Sequence, residues 1–457
     1  MKRCINEYYC ELDKAVEVQF QFDGINVQYI SELDGKQSSS EFGYLKISIE
    51  ANLKKYESLS DSAILTRSKY LIALGIVSFV IDDPLDVYDT SSSSFVFEGE
   101  SSTLENKFII DSVNNTYYLN EIIDKISGLE THERHLVFSL LDRWRKARYM
   151  EKNSESSLMF SDEATLAYFH VLELLGDLHS KELIAKSNDS VDAFVKQYNE
   201  DILSLTGQSL ENENKSKLKL LSGLLSKDLS VTGKILYFLK KYDLYSNQTA
   251  FWIKNLVDAR NSVAHGRRVF YDKSIFPVQP FFPLVANTMY PLEFVRVLSA
   301  NVISKHLGID LYKNEWNIIE KCLISDVQVT NEYLASGEFK KLDEIYGSEA
   351  NIVNGGIDNF VLSKKISPEK CANFYKFYLK NEIENQDFLH SNIRSIIILF
   401  ECVKEVEFSE TLKSAIINTH RLECNIDFNF RDTMYFLDFH GFQTVKLEKL
   451  IENGAIR

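Results

Sequence analysis

Cysteine is scarce in this sequence, and the spacing of the six cysteines argues against redox-active and metal-binding roles. No two of them form a C-x-x-C pair, and none has a histidine at the spacing of a zinc site. We therefore expect reduced thiols, as in a cytoplasmic protein, and neither a bound metal nor a cofactor. The six residues are Cys4, Cys10, Cys322, Cys371, Cys402 and Cys424.

A long hydrophobic run is also missing. The longest run, residues 70–81, is interrupted by Gly75 and Ser78 and is well short of the roughly 20 residues that a membrane helix needs. The basic amino-terminal segment lacks the apolar region of a secretory signal. We expect a cytoplasmic protein that does not insert into a membrane.

Positive charge is in deficit over the whole chain, whose formal net charge is -15. This balance argues against a general polyanion-binding protein. The deficit is uneven along the chain. The formal net charge of residues 126–315, counted from Lys, Arg, Asp and Glu, is about +1. A local site for a polyanion is therefore electrostatically feasible in that region.

The 457 residues, with 45% hydrophobic and 26% charged side chains, are typical of two or three folded domains. Residues 1–125 show the alternation of short strands. Residues 16–22 and 25–30 flank Asp23-Gly24, the residue pair of a tight hairpin. Further strands are predicted at 95–97, 107–111 and 116–119, so we interpret this segment as a β-rich sensing or regulatory domain.

Helical periodicity dominates from residue 126 onward. Four prolines between residues 277 and 291 forbid a continuous helix there and indicate an extended connector. Ser367-Pro368-Glu369 is a helix start, with Ser367 as the cap and Pro368 in the first turn. The predicted helices before residue 316 are 132–150, 161–179, 191–205, 215–225, 249–265 and about 292–306.

The expected class is therefore α+β and multidomain. It comprises a β-rich domain at 1–125, a central all-α bundle at 126–315 and a mainly helical region at 316–457.

Residues 247–266, NQTAFWIKNLVDARNSVAHG, predict one amphipathic helix that begins with capping residues and ends before Gly266. One face should pack and the other should remain available for chemistry. The predicted buried stripe is Trp252, Leu256, Ala259 and Val263, and the polar stripe is Lys254, Asp258, Asn261 and His265.

The polar end of this helix holds residues suited to cutting RNA without a metal, because RNA supplies its own nucleophile in the 2′-hydroxyl. His265 lies at the negative end of the helix dipole, which favours its charged form and suits a general acid. Arg260 offers a fork of donors for phosphoryl oxygens. The candidate phosphate-binding residues are Lys254, Arg267 and Arg268.

Arg260 and His265 are five residues apart, about 140° around an ideal helix. One straight helix therefore does not bring both side chains to one substrate. Two copies of the helix in a symmetric dimer, or a second such domain in the same chain, would supply a common cleft.

A simpler interpretation is that R-x-x-x-x-H occurs by chance in many helices, where Arg and His merely stabilise a helix end. The context is more specific than the bare pattern, because Asn261 follows the arginine and Gly266 closes an amphipathic helix.

Residues 259–268, ARNSVAHGRR, resemble the R-x4-6-H signature of the HEPN superfamily, in which Asn commonly follows the Arg. Residues 162–176 are similar to the first core helix of such domains, and the long layout resembles the ApeA-like anti-phage branch. The resemblance covers about 130–310. It implies a dimerising helical bundle in which Arg260, Asn261 and His265 are the catalytic residues of a metal-independent ribonuclease.

Glu173 lies where related helices often carry an acidic residue, which implies a supporting role in the site. The alternative is a solvated polar strip of His170, Glu173 and Asp177 beside a buried face of Ala167, Val171, Leu174, Leu175 and Leu178. Arg267 stands where toxin members with R-x4-H-x-Y have tyrosine, so regulation through that tyrosine is not implied.

The leading hypothesis is a dimeric endoribonuclease of antiviral defence, abortive infection or toxin systems. Its substrate would be RNA, including tRNA, and the flanking acidic domains would restrain it until a protein or phage-derived trigger arrives. One alternative is a non-catalytic RNA-binding or dimerisation module. Another is a nucleotide or ligand sensor whose chemistry comes from a separate protein.

Overall fold

The computed structural model describes residues 2–14, 16–33, 42–87, 92–95, 107–110, 116–154, 161–227, 229–264, 292–323, 325–422 and 430–456. An antiparallel sheet near the amino terminus is followed by a mostly helical chain, which confirms the α+β class. Contacts divide the chain into unit 1, Met1–Leu178 with Val295–Asn314, and unit 2, His179–Phe294 with Glu315–Arg457. Residues 126–315 contribute to both units, so the predicted domain limits and the compact units do not coincide.

The sheet of unit 1 has six antiparallel strands in the order β5-β1-β4-β3-β2-β6. The predicted hairpin is confirmed, since Asp23 and Gly24 turn with φ of 46° and 74° and Phe22 pairs with Ile25. The strands are β1 Lys2–Glu11, β2 Val16–Phe22, β3 Ile25–Ile30, β4 Tyr44–Leu53, β5 Ser92–Phe95 and β6 Lys107–Ile110.

Helix α1, Leu59–Ile81, packs on this sheet and was not predicted. A buried polar cluster fixes it to β1, because Thr66 Oγ1 accepts from Asn6 Nδ2 at 2.8 Å and lies 2.6 Å from the Tyr8 hydroxyl. The helix ends at Asp82, which adopts the left-handed conformation with φ of 51°.

By length and composition α1 could also cross a membrane. In unit 1, however, 61% of its most apolar window is buried, and every residue from Ala73 to Ile81 is buried. The second half of α1, residues 70–81, is largely apolar around its whole circumference, which suits such a core position.

The predicted strand at residues 116–119 is wrong, because these residues begin helix α2, Thr116–Gly128. Leu119, Ile122, Ile123 and Ile126 are buried at helical spacing, so tertiary packing overrides the strand preference of the first few residues.

Three longer helices contribute to unit 1: α3 Thr131–Ser154, the first half of α4 Ser161–Gln197, and α8 Leu292–Leu307 from Val295 onward. Trp144 of α3 is fully buried, with its ring 5.3 Å from that of Phe79 of α1. The predicted helices at 132–150 and 292–306 are confirmed, whereas the proline-rich connector at 277–291 lies outside the described residues.

The turn after α1 carries three aspartates, and each pairs with a different cation of unit 1. Asp82 binds Arg148 at 3.2 Å and Arg296 at 2.9 Å, and Asp83 binds Lys152 at 3.0 Å. Arg145, almost completely buried, contacts Asp86 at 3.4 Å and Asp142 at 2.9 Å, and donates to the Leu85 carbonyl at 2.7 Å.

Unit 2 is helical, and its last helices pack around one central helix, Gln386–Cys402. After α4 and a π-helical turn, Tyr198–Ile202, come α5 Gly207–Lys227, α6 Val231–Lys241, α7 Asn247–Ala264 and α9 Lys313–Cys322. The last helices are α10 Val327–Ser336, α11 Ser348–Gly355, α12 Asp358–Leu362, α13 Pro368–Glu382, α14 Gln386–Cys402, α15 Val406–Arg421, α16 Phe430–Phe439 and α17 Val445–Glu452.

The predicted helix start at Ser367-Pro368-Glu369 is confirmed as the beginning of α13. Ser367 is the N-cap residue and Pro368 takes the first position, but the Ser367 side chain makes no capping hydrogen bond.

We expect Arg145→Met to lower the free energy of unfolding by about 3 kcal/mol, because it removes a buried cation from two carboxylates and a carbonyl. Arg143→Met is the matched control on the same helix, since Arg143 is exposed and pairs with no described residue. Urea unfolding followed by circular dichroism measures both variants, and equal stability of the two would contradict the structural role of Arg145.

Candidate functional site

The candidate site lies near the carboxyl end of α7. This helix spans Asn247–Ala264, as the sequence predicted to within two residues. Its start is fixed by Ser246, whose Oγ accepts from the Thr249 backbone N–H at 3.0 Å and lies 2.8 Å from Thr249 Oγ1. The hydroxyl therefore satisfies a first-turn donor that the helix itself leaves open.

One face of α7 is buried in unit 2. Trp252 and Leu256 are buried as predicted, and Ile253 and Val257 widen the apolar face. The side chains of Ala259 and Val263 lie outside the described residues.

Aromatic contacts hold this buried face in place. The Trp252 ring lies 6.2 Å from Phe294, which in turn lies 6.1 Å from Trp316. Phe251 lies 6.2 Å from Phe360 and packs against the core of the carboxyl-terminal helices.

The opposite face of α7 is polar, as predicted. Lys254 and Asp258 are exposed, and Asn261, one turn further along, is half-buried. The apolar face thus fixes the helix while the polar face stays open to solvent.

Arg260 and Asn261 are joined by a side-chain hydrogen bond, in which Arg260 Nη1 donates to Asn261 Oδ1 at 3.0 Å. Both side chains are half-buried. The bond orients the guanidinium and uses the carbonyl oxygen of Asn261, not the donors of its amide nitrogen. Because both residues lie in the last turns of α7, the negative end of the helix dipole favours the arginine cation.

Three of the predicted site residues, His265, Arg267 and Arg268, lie outside the described residues. The predicted catalytic set is therefore represented by Arg260 and Asn261, with Lys254 as the described member of the predicted phosphate-binding set.

Glu173 is half-buried on the part of α4 that belongs to unit 1, whereas α7 belongs to unit 2. The predicted buried face of α4 needs correction. Val171 and Leu175 are buried, but Leu178 is 39% exposed and Ala167 and Leu174 are partly exposed.

The buried face of α4 is rotated toward Tyr168, Phe169 and Leu172. Tyr168 is held from two sides, since its hydroxyl donates to Glu151 at 2.5 Å and its carbonyl accepts from Ser299 of α8 at 3.1 Å. Sequence periodicity on α4 alone does not show where α3 and α8 pack.

Among the described residues, no three histidine, cysteine or acidic side chains lie close enough together to hold a metal ion. Comparison of the chain with protein-family models, with curated proteins and with solved structures finds no match in any of the three. The functional argument therefore depends on the residues of α7 themselves.

We expect the site residues to be dispensable for folding. Arg260→Ala and Asn261→Ala each break the hydrogen bond that joins these two side chains, and each should lower the free energy of unfolding by about 1 kcal/mol or less. Leu256→Ala, on the buried face of the same helix, should lower it by about 3 kcal/mol.

Urea unfolding of the three variants measures this difference. If Arg260→Ala is as destabilising as Leu256→Ala, then Arg260 is a structural residue and the interpretation of this helix end as a site is wrong.

Proposed function

We propose that this protein is a metal-independent RNA endonuclease of the HEPN type that acts in anti-phage defence or as a regulated toxin. Its catalytic residues are Arg260, Asn261 and His265. The observation that supports this assignment is the hydrogen bond of Arg260 to Asn261 at the polar end of α7, five residues before His265.

In the proposed reaction the 2′-hydroxyl oxygen attacks the adjacent phosphorus, its proton passes to solvent water, and the bond from phosphorus to the 5′-oxygen breaks. His265 donates the proton that the leaving 5′-oxygen needs. Arg260 donates to the phosphoryl oxygens, whose negative charge grows in the transition state. The products are a 2′,3′-cyclic phosphate and a 5′-hydroxyl.

Asn261 is assigned a positioning role as well as direct contact. Its carbonyl oxygen holds the Arg260 guanidinium, and its amide nitrogen can donate to a phosphate oxygen. A guanidinium that is already oriented loses less conformational freedom when the phosphate binds.

The proposed enzyme is a homodimer through the helical domain that contains α7. On an ideal helix, residues five apart such as Arg260 and His265 would be about 140° apart, so the proposed reaction requires a second copy for both to reach one phosphate. A twofold axis beside the polar ends of two α7 helices supplies that arrangement.

Lys254 is proposed to bind a flanking phosphate. It is exposed on the same side of α7 as Asn261, two turns earlier and about 10 Å away along the axis. Arg267 and Arg268 are proposed to serve flanking phosphates at the other end. These contacts carry no base preference, so they position RNA, including tRNA, without reading its sequence.

The flanking regions are proposed to restrain the nuclease until a protein or phage-derived trigger is sensed. The chain's net negative charge lies outside residues 126–315, because the positive and negative side chains of that segment nearly cancel, with a balance of about +1. Acidic flanks disfavour unspecific RNA binding elsewhere on the surface.

We expect His265→Ala and Arg260→Ala to lower the rate of RNA cleavage at least about 100-fold, because each removes a group that acts in the transition state. Lys254→Ala should weaken RNA binding and reduce its salt dependence with a smaller loss of rate. Lys449→Ala, an exposed cation on α17, is the control and should cleave like the wild type.

The measurement is cleavage of end-labelled RNA in the presence of EDTA, with analysis of the product ends. Products that carry a 3′-hydroxyl, or cleavage that EDTA abolishes, would contradict the mechanism. Wild-type protein that binds RNA as tightly as His265→Ala and cleaves none would favour the non-catalytic RNA-binding module.

A further inference from the structure

Unit 2 contains a cavity of about 530 Å³ at the first turn of α7, opposite the end that carries Arg260. Three separate segments line it: the start of α7, helix α9, and the start of α11. The lining residues include Gln248, Glu320, Tyr346, Gly347, Ser348 and Asn351.

The floor of the cavity is a fixed polar network. Gln248 is 7% exposed, and its Nε2 donates to Ser348 Oγ at 3.1 Å and to Ser325 Oγ at 3.4 Å. Asn351 is 8% exposed, and its Nδ2 donates to the carbonyls of Glu320 and Leu323 at 2.9 and 2.7 Å. These contacts hold α7, α9 and α11 together around the cavity.

Gln248 keeps one unused acceptor. Its two hydrogen bonds to described residues both use the amide nitrogen, so its carbonyl oxygen accepts from no described residue. A buried amide that lines a cavity with a free acceptor favours a ligand that brings a donor.

Glu320 also favours a ligand that donates hydrogen bonds. Its half-buried carboxyl lines the cavity and forms no hydrogen bond or ion pair with any described residue. Burial raises the pKa of this carboxyl. N–H donors from a ligand would offset that desolvation and would satisfy both Glu320 and Gln248.

The opposite wall is suited to an anion. Helix α11 begins at Ser348 after Gly347, whose φ of 59° and ψ of -134° are accessible to glycine and which provides no side-chain cap. The first-turn N–H groups therefore have no intrahelical partner and no cap from Gly347. Glu349, the acidic residue of this turn, is paired with Lys340 at 2.9 Å. A Cβ at Gly347 would meet nothing within 4 Å, so an anion can approach this helix end.

An aromatic ring stands at the mouth of the cavity, because Tyr346 lines it and is 79% exposed. Its ring, which has Lys340 Nζ 5.9 Å from its centre, is exposed enough to stack on a ligand as well. The volume lies within the range of roughly 300–1,000 Å³ that small-molecule sites occupy.

We propose that this cavity binds a guanine nucleotide. The phosphate lies on the first-turn N–H groups of α11, and the adjacent ring and amino N–H groups of guanine donate to Glu320 and Gln248. Tyr346 stacks on the base.

This assignment does not depend on the proposed nuclease. A ligand in the cavity could nonetheless affect the proposed nuclease site, because α7 connects the cavity to Arg260 over about 20 Å.

The test is isothermal titration of the full chain with four probes: GMP, IMP, guanosine and inorganic phosphate. We expect GMP to bind in the micromolar range. IMP, which lacks the 2-amino group, and guanosine, which lacks the phosphate, should each bind at least about tenfold more weakly, since each loses a charge-assisted contact.

Glu320→Gln preserves the side-chain volume and should bring GMP affinity close to that of IMP. Glu410→Gln, on the exposed face of α15, is the matched control and should leave the difference unchanged. Thermal unfolding of both variants checks that they fold.

Three results would overturn the proposal. The first is that GMP does not bind at 1 mM, which is roughly the weak limit of specific affinity. The second is equal affinity for GMP and IMP. The third is equal affinity for GMP and inorganic phosphate. The wild-type comparison of the four probes decides the matter even if Glu320→Gln does not fold.

Discussion

The burial of one face of α7 is the constraint on which the candidate site depends. Trp252 and Leu256 place this helix in the aromatic and aliphatic core of unit 2. Burial of each such side chain stabilises by roughly 1.5–3 kcal/mol, whereas the hydrogen bond between Arg260 and Asn261 contributes about 1 kcal/mol. The packed face therefore sets where the polar face lies.

The same division between packing and polar function appears at the other end of α7. Gln248 belongs to the first turn, where it bonds to Ser348 of α11 and leaves its carbonyl oxygen toward a cavity. A ligand that ordered this turn would act on a helix that is already fixed by its apolar face. A shift of the first turn of α7 on ligand binding would then be transmitted through a rigid helix to its last turn.

Unit 1 is stabilised in a different way, by ion pairs between α3 and the turn that follows α1. Arg145 and the aspartates that follow α1 are mutually paired, and this pairing explains why an acidic turn is compatible with the end of an apolar helix. These carboxylates are used by the protein's own cations, so the acidic cluster is a structural element and not a metal site.

Local signals were enough to predict several elements from the sequence. Asp23-Gly24 fixed a hairpin because both residues tolerate positive φ, and Pro368 marked a helix start because its ring suits the first turn. The period of α7 predicted which residues pack and which stay polar.

The failures have physical causes as well. The second half of α1 is apolar on nearly every side, so it shows no helical period that separates a buried face from an exposed one. Residues 116–119 have strand-forming side chains, but packing makes them the start of a helix. The buried face of α4 depends on where Ser299 and Glu151 contact Tyr168. The cavity beside Gln248 is built from segments that are about 70 to 100 residues apart in the sequence. Local sequence patterns do not predict contacts between such distant segments.

The central claim is that Arg260 and His265 from two copies build one RNA-cleaving site. Its most direct test is co-expression of Arg260→Ala and His265→Ala with different tags, followed by purification of the mixed dimer through both tags. A mixed dimer retains one intact arginine and one intact histidine from different copies, so the account predicts RNA cleavage well above that of either variant alone. Mixed dimers as inactive as both parents, beside an active wild type, would contradict the shared site.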